Sequence, residues 1–444
     1  MYFPDWDGNL YKANRDTGEV IWSRSVGVDY VGTEGVFART TPAIYEGALI
    51  FGDQGGRVGA GARVMSVDAD TGNLLWSTSV GNHPFAIVTQ SATVFDDVVY
   101  VGVASFEEAF AAFIPDYECC SFRGSMMALD ANTGTILWET SMVPTTGASP
   151  DYSGNAIWGS SPVVDTKRGA VYIATGNNYS VPDSVLACLT AAGEDEAAQA
   201  ACLDDGNLFD AVVALDMDTG EILWSTVVIP FDVWTVSCLF LEPGVGNCPD
   251  PAGPDFDFGQ APILYDVQDH GKKTGLLGVG QKSGQFWALN AETGEIVWST
   301  QVGPGGVLGG IMWGSAYDGD RPYTAVSNVT GDPWDIIGGE TVNSGGWAAL
   351  DPASGEILWQ TPDPAGAAGY GAVTVANGVV YVCSLGVEGN MYGIDAATGN
   401  VLWSFAAGGS CASGAAVVNG SVYWGTGYDS FGEPNNQFYS FTLP

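Results

Sequence analysis

Two cysteines stand side by side at Cys119 and Cys120, in a chain of 444 residues with eight cysteines and only two histidines. Adjacent α-carbons lie about 3.8 Å apart across a trans peptide, short of the roughly 4.4–6.8 Å that disulfides usually span. A bond here therefore needs a distorted backbone, and strain of that kind points to function. The spacing of the other six invites pairing in chain order, Cys188 with Cys202, Cys238 with Cys248 and Cys383 with Cys411. Such bonds imply an oxidising compartment, periplasmic or secreted. There is no Cys-x-x-Cys, and His83 and His270 are the only histidines, so the chain carries no zinc motif and no haem-attachment motif.

Other groups capable of chemistry are scattered along the sequence. Asp257 lies in Asp255-Phe256-Asp257-Phe258, where two phenylalanines would keep water from a carboxylate. Glu107 and Glu108 are adjacent, near-equal candidates, and Asn177 closes the segment Ala174-Thr175-Gly176-Asn177. Trp158 and Trp313 each precede Gly-Ser, and Lys282 occupies the hairpin Gly280-Gln281-Lys282-Ser283-Gly284 in a chain with only 13 lysines and arginines. Each has a plainer reading as well: a core tryptophan, a turn aspartate, a solvated acidic loop, a surface hairpin lysine.

What must position these groups is a repeat. A phrase of the form Asp-Ala-x-Thr-Gly-x-x-x-Trp occurs seven times, ending at Trp22, Trp76, Trp138, Trp224, Trp298, Trp359 and Trp403. Each copy follows a pair of apolar runs separated by a turn, as in Thr41-Pro42-Ala43-Ile44 through Ile50-Phe51-Gly52. The unit reads strand, turn, strand, insertion, strand, Thr-Gly turn, strand, which is one four-stranded propeller blade. With a last unit from Gly414 to Leu443 that lacks the phrase, the count is eight, so the expected fold is an all-β eight-bladed β-propeller over residues 1–444 as a single domain. The first unit lacks opening strands, and the expectation is that amino-terminal strands are missing. The seven tryptophans are expected to dock between blades as core. Successive ones are 54, 62, 86, 74, 61 and 44 residues apart, against roughly 40–50 for a plain blade. The surplus falls near residues 103–124, 178–208, 230–258 and 318–345, and long loops on a rigid scaffold are where function sits.

A formal charge of −38 disfavours nucleic acid as a partner. No apolar run approaches the roughly 20 residues of a membrane-spanning helix.

The tryptophan phrase and the site segments together resemble the quinoprotein dehydrogenases that carry pyrroloquinoline quinone (PQQ) in an eight-bladed propeller, and the resemblance covers essentially the whole chain. It implies a vicinal Cys119–Cys120 disulfide against the cofactor plane with Arg123 following it, Trp158 as the floor beneath the quinone, and Trp313 as a further wall. It implies calcium bound by Glu107, Asn177 and Asp257, with Asp257 as the catalytic base, and Lys282 in contact with the quinone oxygens. Calcium takes several oxygen donors, which carboxylates and an amide oxygen supply. The segments Glu118-Cys119-Cys120-Ser121-Phe122-Arg123-Gly124, Asp165-Thr166-Lys167-Arg168-Gly169 and Pro249-Asp250-Pro251-Ala252-Gly253-Pro254-Asp255 look closest to polyvinyl alcohol dehydrogenase-like members. These oxidise secondary alcohols and pass electrons to cytochrome c. The competing expectation is a non-catalytic propeller scaffold that binds a protein or polymer, since such scaffolds share the tryptophan phrase.

Overall fold

A computed structural model describes residues 1–114, 116–144, 151–269, 271–430 and 432–442. His270 and the expected end of the last unit at Leu443 lie outside them. The protein is an all-β chain of the eight-bladed β-propeller class, with eight antiparallel blade sheets in sequence order. It divides into two compact units, residues 1–257 and 258–444, each containing four of these sheets.

In the first unit the opening sheet has three strands, Tyr2–Pro4, Asn9–Ala13 and Val20–Ser25, and the next three sheets have the full set. The third blade runs Thr93–Phe95, Val98–Ser105, Ser125–Asp130 and Ile136–Ser141, and the fourth Val163–Asp165, Ala170–Ala174, Ala211–Asp216 and Ile222–Val227. Val99, Val101 and Val103 alternate inward from one strand and meet Met127 and Leu129 from its neighbour, so period-two patterning creates the core between sheets. In the second unit three four-stranded sheets begin with Ile263–Asp269, and a three-stranded sheet, Ala416–Val418, Ser421–Gly425 and Phe438–Thr442, ends it. Within the third, fourth and sixth blades the long insertions separate the second and third strands. The 230–258 segment instead joins two blades.

The repeated phrase explains itself physically. In each copy the first residue caps the turn, as Asp130 Oδ1 accepts from Asn132 N, Thr133 N and Thr133 Oγ1. The glycine takes a left-handed conformation, φ +70° at Gly134 and +73° at Gly220, which a side chain would resist. The preceding blade's tryptophan then lies over it. Trp76 and Trp138 donate their indole N–H to Ala131 O and Met217 O at 2.9 and 3.2 Å, and Thr78 and Thr140 bond Gly134 O and Gly220 O at 2.6 Å each. In the second unit Trp298 and Trp359 repeat the contact to Pro352 O and Ala396 O.

Trp403 departs from the expected docking role. It is 37% exposed and packs against Phe441, with ring centroids 4.9 Å apart. No indole hydrogen bond of the kind made by Trp359 is seen for it among the described residues.

Gly220→Ala would place a Cβ 2.5 Å from the Trp138 ring. Overpacking added to a left-handed alanine should destabilise the protein by about 2–4 kcal/mol in a denaturant titration. Gly169→Ala, also left-handed but with nothing within 4 Å of the added carbon, should cost only about 1 kcal/mol. Equal losses would remove the docking explanation.

Candidate active site

The first unit gathers Glu107, Cys119, Cys120, Trp158, Asn177 and Asp257, which the sequence spreads over 151 residues (257 minus 107 plus one). Asp257 is the meeting point. Its Oδ1 accepts the backbone N–H of Asn177 at 2.7 Å and its Oδ2 accepts the indole N–H of Trp158 at 3.1 Å. Both bonds depend on close backbone approach at Gly176, where an added Cβ would sit 2.8 Å from Asp257 Oδ1. Asn177 commits both amide hydrogens, to Asn178 O and Trp234 O at 2.8 Å each. That fixes the flip of the amide and leaves its oxygen as the remaining acceptor.

Glu107 is held by a dense set of hydrogen bonds. It opens the helix Glu107–Phe113 and is fully buried. Its Oε1 accepts from Tyr117 OH at 2.6 Å and Ser121 N at 2.9 Å, and its Oε2 from Phe122 N at 2.7 Å; His83 Nε2 lies 3.6 Å away. Burial pushes this carboxyl up, but the hydrogen bonds from His83, Tyr117 and the Phe122 and Ser121 N–H groups outweigh it and hold the group below the usual carboxylate range. The carboxylate is thus a clamp on the turn that follows the Cys119–Cys120 disulfide. Glu108 is only half-buried on the same helix. All four cysteine pairs form as the spacing suggested, and Arg123 donates to Pro144 O at 2.9 Å.

Several residues that sequence reasoning passed over hold this arrangement. Asp232, fully buried, accepts the N–H groups of Asp255 and Phe256 at 3.1 and 2.7 Å and so fixes the two residues before Asp257. Asp255 itself sits at φ +59°, a conformation that such bonds must maintain. Asp210 is also fully buried, and neither of its oxygens meets a donor among the described residues. Asn155, Asn178 and Asn207 form a buried amide network: Asn178 Nδ2 to Asn155 Oδ1 at 2.6 Å, Asn155 Nδ2 to Asn207 Oδ1 at 2.9 Å, Asn207 Nδ2 to Asn178 Oδ1 at 2.8 Å. One sequence signal was available. Asp210 and Asp232 are lone acids inside the apolar runs Leu208-Phe209-Asp210-Ala211-Val212 and Phe231-Asp232-Val233-Trp234.

Lys282 and Trp313 belong to the second unit. Lys282 is a buried cation at the tip of the hairpin between the strands Lys272–Gly280 and Gln285–Asn290, where its carbonyl accepts Gly306 N and Gly310 N at 3.0 and 2.8 Å. Trp313 takes φ +64° and packs edge-on against Tyr370 at 5.7 Å.

The fold is a sheet-per-repeat propeller whose first unit holds an oriented carboxylate beside an indole, and a vicinal disulfide. Known proteins share this fold. The profile of a family described as outer membrane protein assembly factor BamB matches residues 2–226, 210–333 and 287–433. A polyvinyl alcohol dehydrogenase of a Sphingopyxis species is 33% identical over 436 residues, 91% of this chain and 59% of that protein. Another from a Pseudomonas species is 31% identical over 428 residues, with the same coverage of 91% and 59%. The solved structure of a quinohemoprotein alcohol dehydrogenase from Pseudomonas putida shares the fold, with a TM-score of 0.70 at 19% identity over 96% of this chain and 68% of that one. The chain belongs to the propeller family whose profile it matches along nearly its whole length, and it is similar to the polyvinyl alcohol dehydrogenases. It spans 59% of the length of those two curated relatives.

The quinoprotein alcohol dehydrogenases that it is similar to imply PQQ and a metal ion. The residues fit a flat quinone: the Trp158 ring is partly exposed with its plane fixed by Asp257, and the Cys119–Cys120 disulfide is partly exposed as well. For the metal, the Asn177 amide oxygen and the Asp257 carboxylate are suitable hard donors. Glu107, the third expected donor, accepts hydrogen bonds from Tyr117, Ser121 and Phe122, and among the described residues no three His, Cys, Asp or Glu side chains are grouped to hold an ion.

The buried acids give a pH test. Desolvation raises Asp210 well above the carboxylate range and Asp232, despite its two N–H donors, to about 7; each also feels the other and Asp257. The proton resides on Asp210, which has no donors, and the charge on Asp232, which has two. A carboxyl whose folded pKa lies above its unfolded value contributes stability fully below the unfolded pKa, and that contribution is lost as pH rises through the folded one. Metal-free protein should therefore melt lower as pH rises from about 5 to about 8, and Asp210→Asn should flatten that fall. Parallel pH profiles for the two proteins would contradict the assignment.

Proposed function

We propose that this protein oxidises alcohols, secondary or polymeric, to carbonyl compounds with PQQ and calcium, and passes the electrons to a cytochrome c in the periplasm or outside the cell. The observation that supports this best is the doubly oriented carboxylate of Asp257. An N–H group on each oxygen fixes the plane of the carboxylate, as a general base requires if it is to meet a hydroxyl proton in one geometry. The polyvinyl alcohol dehydrogenase relatives support the substrate class.

When bound, PQQ supplies the two-electron acceptor that protein side chains lack. Cys119–Cys120 and Trp158 would hold its faces, and Asn177 Oδ1 with Asp257 would be protein donors to calcium, which supplies Lewis acidity toward an oxygen. Asp257 takes the hydroxyl proton of the alcohol. Trp158 N–H and Asn177 N–H keep that carboxylate in place, and Asp232 holds the chain that carries it. Glu107 keeps the disulfide turn in position.

Dye-linked oxidation of 2-butanol, butane-2,3-diol or polyvinyl alcohol by protein loaded with PQQ and calcium tests the reading. Asp257→Asn should lower kcat by about 10²–10⁴-fold while PQQ still binds, as followed by its absorbance. Turnover that survives in this variant would take the base role from Asp257. Bound PQQ without oxidation of any alcohol would favour the scaffold.

A further inference from the structure

The two most exposed phenylalanines among the described residues touch each other. Phe113 and Phe240 are each 64% exposed, with ring centroids 6.1 Å apart. Around them Ile114, Leu239, Leu241 and Val245 are 41–50% exposed, which makes one apolar ledge rather than scattered surface residues. Two insertions build it, the helix Glu107–Phe113 and the loop that the Cys238–Cys248 disulfide closes. They are tied together by Asn247 Nδ2, which donates to Ala111 O and Tyr117 O at 3.0 and 2.9 Å.

A ledge held this firmly, yet left open, is built for contact. Its surroundings specify the kind of partner. Asp116, Glu118, Glu242 and Asp250 are exposed carboxylates on the same two segments, and residues 103–122 and 230–258 contain no lysine or arginine. The nearest arginines are engaged elsewhere, Arg57 over the Phe106 ring at 4.5 Å and Arg123 on Pro144 O, so an apolar centre flanked by these carboxylates complements an apolar face ringed by lysines. The same segments also carry the candidate site. Glu107, at the start of the helix, clamps the backbone beside Cys119–Cys120, and a seven-residue helix is only ~10 Å long.

We propose that this ledge is the docking surface for a small basic electron-carrier protein, and this rests on the dehydrogenase reading given above. Oxidation of one alcohol to a carbonyl releases two electrons and two protons. Two one-electron carriers would dock in turn and leave reduced, and the protons pass to solvent.

The full chain loaded with PQQ and calcium, a lysine-rich cytochrome c and a small dye acceptor together provide the test. In Glu242→Lys/Asp250→Lys and in Phe113→Ser/Phe240→Ser, turnover with the cytochrome should fall about tenfold or more and, in the charge variant, lose most of its salt dependence. Dye-linked turnover should stay within about twofold of wild type, since none of these four residues touches the site. Unchanged cytochrome turnover would overturn the proposal, and so would a raised KM for polyvinyl alcohol alone, which would give the ledge to the polymer. Binding of oxidised cytochrome to the same proteins at low salt, measured by calorimetry, needs no turnover. If wild type shows no dye-linked activity, the dehydrogenase reading fails, and a tenfold loss of affinity in the variants, or its absence, still decides the docking.

Discussion

A tryptophan lying over a glycine of the next blade is the contact on which the rest of this structure depends. The indole N–H reaches the carbonyl of the second residue in the next phrase, and the ring covers a left-handed glycine that has no Cβ to obstruct it, as Trp76 does over Gly134 and Trp138 over Gly220. Each docking joins consecutive sheets within a unit through one buried aromatic surface and one hydrogen bond. Because the contact is made at the outer strand, the inner ends of the sheets and the insertions that spring from the second strands are free to carry chemistry. Trp403, 37% exposed, instead packs against Phe441.

The candidate site is built by long-range hydrogen bonds laid over that frame. Glu107 and Asp232 act alike. Each is a fully buried carboxylate whose oxygens accept N–H groups from a functional segment, the turn after the disulfide in one case and Asp255–Phe256 in the other. Leaving such a donor unpaired in the interior costs about 1–3 kcal/mol, so these carboxylates hold otherwise unfavourable backbone, including Asp255 at φ +59°. The amide network of Asn155, Asn178 and Asn207 does the same for the strand that follows Asn177.

Much of the fold was legible because its signals are local and periodic: turn cap, left-handed glycine, tryptophan at fixed offset, paired cysteines. The gathering of Trp158, Asn177 and Asp257 could be anticipated from the segments that contain them. The job of Glu107 could not be, because its partners Tyr117, Ser121 and Phe122 are set by a helix that turns back on itself, and propensity does not reveal that path. Asp210 and Asp232 escaped for another reason. Burial of an acid is a tertiary event, and the only local trace is a lone aspartate in an apolar run.

The central claim is that the first unit holds a quinone cofactor between the Cys119–Cys120 disulfide and the Trp158 indole, beside Asp257. A crystal structure of the chain grown with PQQ and calcium tests it most directly. The account predicts cofactor density against those two surfaces, with the Asp257 carboxylate still bonded to Trp158 and Asn177. Cofactor bound elsewhere, or Trp158 turned away from Asp257 in its presence, would contradict it.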